Sequence, residues 1–173
     1  MSLRIPVDSH DHVLGRDDAP VTVVEYGDYQ CPYCGAAQPQ VRKVLDRFGD
    51  DIRFVFRHFP LTEVHPMAAI AAVTAEFAGA HGQFWQAHEA LYANQARLGP
   101  ELLFEIVQGL GLEPAQLKAE IDADTYTEKV QADFNGGIRS GVNGTPTFFI
   151  NGTRHDGAYS FEALSQAIEA ARA

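Results

Sequence analysis

The only two cysteines of the chain stand three positions apart, in Cys31-Pro32-Tyr33-Cys34. The motif follows a β-branched run, Val21-Thr-Val-Val-Glu-Tyr-Gly27, and opens a segment of helical spacing that stops near Gly49. A C-x-x-C placed between a strand pattern and a helix pattern reads as a redox dithiol. On a helix, side chains at i and i+3 lie about 5–6 Å apart at Cβ. A relaxed disulfide wants about 3.5–4.5 Å. The bridge can therefore close, under some strain, and strained bridges are the readily reduced kind. Two cysteines in one short motif cannot tie distant segments together, so a disulfide scaffold is excluded.

The chain of 173 residues, 46% of them hydrophobic, suits one domain of ordinary size with a proper core. Residues 1–20 read as an irregular N-terminal arm. Val21 to Tyr26 predicts a buried strand. Val41, Val44, Leu45 and Phe48 recur at helical spacing, with Gly49 as a stop. Ile52 to His58 alternates and predicts a second strand, parallel to the first through a right-handed β-α-β crossover. Residues 61–140 then change character. Helices are expected over Pro66 to Ala80, Gln83 to Gln95, Pro100 to Leu110, Pro114 to Ile121 and Tyr126 to Ser140, with Gly and Pro at the joints. Strand character returns at Thr147 to Ile150, where Asn151-Gly152 signals a two-residue hairpin turn. Ser160 can cap a last helix over Phe161 to Ala171. The expected architecture is α/β, with a core over 21–60 and 141–173 and an all-helical insertion over 61–140.

Charge and pattern narrow the function. A formal charge of −10 argues against nucleic acid, whose phosphates require clustered Lys and Arg. The acids are scattered and read as a solvated surface. No apolar run reaches membrane-spanning length. The N-terminus lacks the apolar stretch of a secretory signal, and Met1-Ser2-Leu3 is compatible with a removed leader. A zinc site would need two more ligands, but His58, His65, His81 and His88 show no paired ligand spacing. His10-x-His12 reads as part of a mobile polar arm. Phe84, Trp85, Leu91 and Tyr92 read as a packed helix face, and Phe148 and Phe149 as core. His58 and His155 read as structural, and Phe59-Pro60-Leu61 as a hinge or linker.

The chemistry concentrates at the motif. The thiolate is the attacking form of cysteine. Cys31 falls where the helix begins, where unpaired N–H groups and the positive end of the dipole favour an anion. Pro32 suits the first turn, because its missing N–H would have no partner there. Cys31 is thus the expected nucleophile and Cys34, one turn further in, the buried resolving thiol. Glu25 interrupts an apolar strand; a carboxylate there is costly unless paired or protonated. It reads as a buried acid with a raised pKa, exchanging a proton with Cys34. Pro146 reads as strand punctuation, and its preceding bond as trans by base rate.

Taken together, Glu25, Cys31-Pro32-Tyr33-Cys34, the long helical stretch and Thr145-Pro146 before Thr147-Phe-Phe-Ile-Asn-Gly152 resemble the DsbA-type thioredoxin-fold oxidoreductases. Phe56-Arg57-His58-Phe59-Pro60-Leu61 and Ser140-Gly-Val-Asn-Gly144 look like the bacterial branch, which also occurs attached to membrane transporters. The resemblance runs from about Ala19 onward. It implies an enzyme exchanging disulfides with unfolded or partly folded proteins, without metal or organic cofactor. Cys31 would be the exposed nucleophile, Cys34 its partner and Glu25 the acid beneath. Pro146 would be a cis-proline facing the dithiol, and Thr145, Pro146, Pro32 and Tyr33 would meet the substrate. The resemblance further implies a monomer in the periplasm or another extracytoplasmic space, re-oxidised by a membrane partner; the residues leave a cytoplasmic home open. Two departures matter. Tyr33 replaces the usual histidine between the cysteines, and Thr145 the valine before the cis-proline. Cys31 is therefore expected to fall between about 7, as in thioredoxin, and about 3.5, as in DsbA. A Cys-Pro-Tyr-Cys tetrapeptide also resembles glutaredoxins and the DsbG type, so a reductase or isomerase stands as the alternative, and a non-catalytic redox sensor of a membrane protein as a third.

Overall fold

The computed structural model describes residues 1–173. Its frame is a mixed five-stranded sheet in the order β1-β3-β2-β4-β5. The strands are β1 (His12–Leu14), β2 (Val21–Gly27), β3 (Ile52–His58), β4 (Thr147–Ile150) and β5 (Thr153–His155). β2 and β3 are parallel, and every other neighbouring pair is antiparallel. The crossover between β2 and β3 is α1 (Pro32–Phe48).

The alternation along β2 decides the site. Val21 and Val23 join a large core with Phe54 and Phe56 of β3 and Phe148 and Ile150 of β4. Val24 and Tyr26 join a smaller core on the other face with Val55, Phe59 and Phe149. With a period of two, Glu25 and Gly27 share the face of Val23, toward Cys31, Cys34 and α1. β2 is buried along almost its whole length, as a strand covered on both faces must be.

Between β3 and β4 lie α2 (Ala68–Ala80), α3 (Phe84–Ala93), α4 (Pro100–Gly109), α5 (Pro114–Asp122) and α6 (Thr127–Arg139). These match the five expected helices to within a few residues at each end. A short 3-10 helix, Gln95–Arg97, follows α3. The hairpin turn has positive φ at both Asn151 and Gly152, the conformation that fits strand twist. The last helix, α7 (Phe161–Arg172), is capped by the Ser160 hydroxyl, which accepts from the N–H of Ala163 at 3.2 Å.

The first twenty residues differ from the irregular arm expected of them. β1 pairs with β3, and the backbone of Met1 and Leu3 bonds to Arg154 and Gly152. His12 is not mobile either: its ring stacks on Phe84 at 3.6 Å, and Nε2 bonds to Glu76. The cause is the unpaired edge of β3, which recruits any extended segment able to reach it. Phe59, expected in a hinge, is buried and stacked on Phe134.

Arg57 anchors this segment. Its Nε and Nη2 donate to the Asp11 carboxylate at 2.8 Å each, and its remaining N–H groups reach the carbonyls of Ile5 and Pro6 and the Tyr26 hydroxyl. All five donors are used, on a side chain only 3% exposed. Burial alone would raise the Asp11 pKa, but Arg57 together with the Asp8 amide and the Lys129 charge holds the carboxyl below its ordinary 3.8. The pair therefore stabilises the fold above about pH 4, and that contribution is lost as pH falls through the depressed folded value. Arg57→Ala leaves the buried Asp11 carboxylate without its guanidinium partner, and is expected to cost about 3–5 kcal/mol in urea unfolding at pH 7. A loss below about 0.5 kcal/mol would show that this pair does not anchor the N-terminal segment.

Candidate active site

β2 ends at Gly27, and Asp28 turns the chain into α1. Its Oδ1 accepts from the N–H of Gln30 at 2.7 Å, and its carbonyl accepts from the N–H of Cys31 at 3.1 Å. Oδ2 accepts from Leu61 N–H at 2.9 Å and from His65 Nδ1 at 2.7 Å. One buried carboxylate thus shapes the turn and pins the start of the helical region to it. An acid directly after a strand-ending glycine is a turn signal that sequence reasoning could have used.

Cys31 sits at the N-cap of α1 in extended conformation, with Pro32 in the first turn. Its sulfur makes no capping bond of ordinary length, yet its pKa falls from 9.0 to about 5. The largest cause is the neighbouring Cys34 thiol, which hydrogen-bonds the anion. Burial opposes this; Thr145 and the amides of Cys34 and Tyr33 support it. The value lies within the range expected. The Thr145 carbonyl accepts from Cys31 Sγ at 3.6 Å, while the buried Thr145 hydroxyl has no hydrogen-bond partner. Thr145, in place of the family's valine, is thus the loop residue that lies against a sulfur whose usual histidine neighbour is absent. The Thr145–Pro146 bond is cis, as the resemblance implied and against the base rate.

Cys34 is 0% exposed, and burial is the largest cause holding its thiol well above its ordinary value. Glu25 adds to that shift from the strand beneath. Glu25 is itself 0% exposed, neither carboxylate oxygen has a partner, and burial raises its pKa from 4.5 to about 8. It is protonated at neutral pH. One expectation is corrected here: Cys31 is only 3% exposed, because it lies against the Thr145-Pro146 loop. The exposed members of the motif are Pro32 and Tyr33, the latter at 66%.

Behind the dithiol is a buried polar layer that the sequence did not reveal. The Tyr29 hydroxyl lies 2.9 Å from His88 Nδ1. Burial holds His88 down at about 3 and Tyr29 well above its usual value, so the phenol donates to a neutral imidazole. Glu76 accepts from His58 Nε2 at 2.9 Å and from His12, and these bonds keep it ionised despite burial. No three His, Cys, Asp or Glu side chains converge as a metal site.

This geometry has close counterparts. The thioredoxin family matches residues 8–170. BdbD from Bacillus subtilis, in its oxidised form, superposes with a TM-score of 0.87 at 28% identity, covering 96% of this chain and 95% of that one. A thioredoxin-like oxidoreductase from Silicibacter pomeroyi gives 0.80 at 29% identity, covering 95% and 94%. In sequence, the chain is 47% identical to part of the Na(+)/H(+) antiporter NhaA 1 of Salinispora arenicola, over 99% of this chain but 26% of that protein. The chain thus spans about a quarter of the length of the curated relatives it matches. No helix is long and apolar enough to cross a membrane. The chain belongs to the thioredoxin family, and its paired cysteines on a DsbA-type fold make it a thiol–disulfide oxidoreductase.

Proposed function

We propose that the chain oxidises thiols of unfolded or partly folded proteins outside the cytoplasm, with Cys31 as the reacting sulfur, Cys34 as the resolving sulfur and Glu25 as the proton carrier. The observation that carries this reading is the divergence of the two thiols, one acidic and one held protonated, on adjacent turns of one helix. A stable Cys31 thiolate favours the reduced pair, and a stabilised reduced form makes a strong oxidant.

In that direction a substrate thiolate attacks Cys31 in the closed disulfide. The Cys31–Cys34 bond breaks, a mixed disulfide forms, and Cys34 leaves as a thiolate. Cys34 cannot stay charged in its apolar setting, and Glu25 delivers the proton it takes up. A second substrate thiolate then attacks the substrate sulfur and expels Cys31, a good leaving group at its low pKa. The substrate loses two electrons and two protons. The pair gains the two electrons and one proton, which reaches Cys34 through Glu25 and is replaced there from solvent. The second proton goes to solvent, because Cys31 stays a thiolate. A membrane partner would re-oxidise it. Substrate would lie along Thr145 and Pro146, pairing with the loop backbone by β-addition, beside Pro32 and Tyr33. The opposite direction, a reductase or isomerase, uses the same atoms.

The antiporter relatives favour a second reading: a redox domain of a membrane transporter, changing oxidation state for its partner without turnover. Catalytic oxidation of a reduced, unfolded protein separates the two. Many turnovers per chain are expected, and stoichiometric oxidation alone would support the sensor.

Cys34→Ala is expected to accumulate mixed disulfides through Cys31, visible on non-reducing gels; absence of adducts would remove Cys34 from the resolving role. Thr145→Val should move the midpoint of Cys31 alkylation upward from about 5, and an unmoved midpoint would remove Thr145 from the groups that make this thiol acidic. Glu25→Gln should slow formation of the mixed disulfide, the step in which Cys34 takes up its proton. Its stability effect has a definite sign. Because the folded pKa is raised, the folded state holds a proton that the unfolded chain gives up between 4.5 and about 8. Wild-type stability therefore falls relative to Glu25→Gln as pH rises through that window, by on the order of 4 kcal/mol. An unchanged stability difference between wild type and Glu25→Gln in urea unfolding at pH 5 and pH 8 would show that the Glu25 pKa is not raised by folding.

A further inference from the structure

Among groups near the dithiol, one side chain comes from far away in sequence and takes no part in the chemistry above. Gln95 lies in the short 3-10 helix after α3, within the helical region. Its Nε2 donates to the carbonyl of Tyr29 and to the carbonyl of Cys31, at 2.8 Å in each case. Both hydrogens of the amide are thus committed to the backbone on either side of Gln30. The Cys31 carbonyl also accepts from the N–H of Gly35 at 3.1 Å, as the first bond of α1. The rest of the amide rests on Gly35: a Cβ at that position would lie 2.3 Å from Gln95 Oε1. Gly35 is helical with an ordinary φ, so backbone freedom is not what the position requires. It leaves room for the glutamine.

We propose that Gln95 is a positioning residue for the dithiol, reaching from the helical region to fix the N-cap backbone of α1, and that Gly35 is the seat that admits it. The sulfur of Cys31 shifts as it passes from thiolate to disulfide, while its benefit from the amides of Tyr33 and Cys34 depends on a fixed turn. Two carbonyl oxygens in that turn carry partial negative charge close to the anion. One neutral amide satisfies both, aims them at itself and places its own positive end beside the turn. Gln95 does not titrate. The titratable groups around the sulfur are Cys34 and Tyr33 on α1, Asp28 and Tyr29 in the turn, Glu25 on β2, Tyr92 on α3 and Tyr159 before α7. None of these is altered by changing residue 95 or 35, so a shift in the Cys31 titration reports the turn itself.

This inference rests on Cys31 being the acidic thiol, and the wild-type titration tests that separately. The experiment is iodoacetamide alkylation of Cys31 across a pH series in Gln95→Leu, Gly35→Ala and the double variant. Gln95→Leu removes the donors and keeps bulk. Gly35→Ala leaves the glutamine in the chain but evicts its amide, and alanine favours the helix by about 1 kcal/mol, so this variant stays folded if Gln95→Leu does not. Each single variant should raise the midpoint by about one unit, a tenfold slower reaction at pH 4. The double variant should match the singles, because both break one contact. A midpoint unmoved in either single variant, or additive shifts in the double, would overturn the proposal. A wild-type midpoint near that of free cysteine would instead overturn the assignment of Cys31.

Discussion

A sulfur anion at the mouth of α1 is the interaction on which the rest of this structure depends. The geometry needs a buried parallel strand to carry the chain to the sheet end, and a tight turn to reverse it. It also needs a helix whose first amides have no other partner. β2, Asp28 and α1 supply these three parts. The fold then surrounds the sulfur unevenly. Toward the cis-proline loop it meets the polar atoms of Thr145, and inward it meets the Cys34 thiol. Beneath Cys34 lies a carboxyl with no partner at all. Two chemically identical thiols are driven to opposite protonation states by positions one helical turn apart.

The helical region completes the site as well as covering it. It contributes His65 and the Leu61 amide to Asp28, the Met67 amide to the Gln30 side chain at 2.7 Å, and Gln95 to the carbonyls flanking Gln30. Buried aromatic and histidine rings of α3 back the turn from behind. The turn is therefore gripped from a unit that the thioredoxin-like sheet does not contain. A carboxyl without partners is a local cost of several kcal/mol in principle, and keeping it neutral is how the fold tolerates it.

Much of this was legible in the residues, for identifiable reasons. Periodicities of two and 3.6 gave the strands and helices, because both faces of β2 and one face of each helix meet a core. Glu25 was conspicuous because a carboxylate in Val-Val-Glu-Tyr has no cheap explanation. The hairpin followed from Asn-Gly. β1 was not legible: His12-Val-Leu14 is too short to show alternation, and it is a strand only because β3 offers an open edge. Gln95 was equally hidden, since its partners lie 64 and 66 positions away and a surface glutamine after a helix looks ordinary. The Thr145 departure was visible, but as a missing valine; that this residue lies against the sulfur emerges only once the loop is folded against the N-cap.

The claim that the helix mouth stabilises the reduced pair is tested most directly by the reduction potential, measured by equilibrating the protein across a glutathione series. An acidic Cys31 that lacks the histidine neighbour predicts a value between about −120 mV, that of DsbA, and about −270 mV, that of thioredoxin. A potential at or below the thioredoxin value would mean that the thiolate gains nothing from its place in the fold.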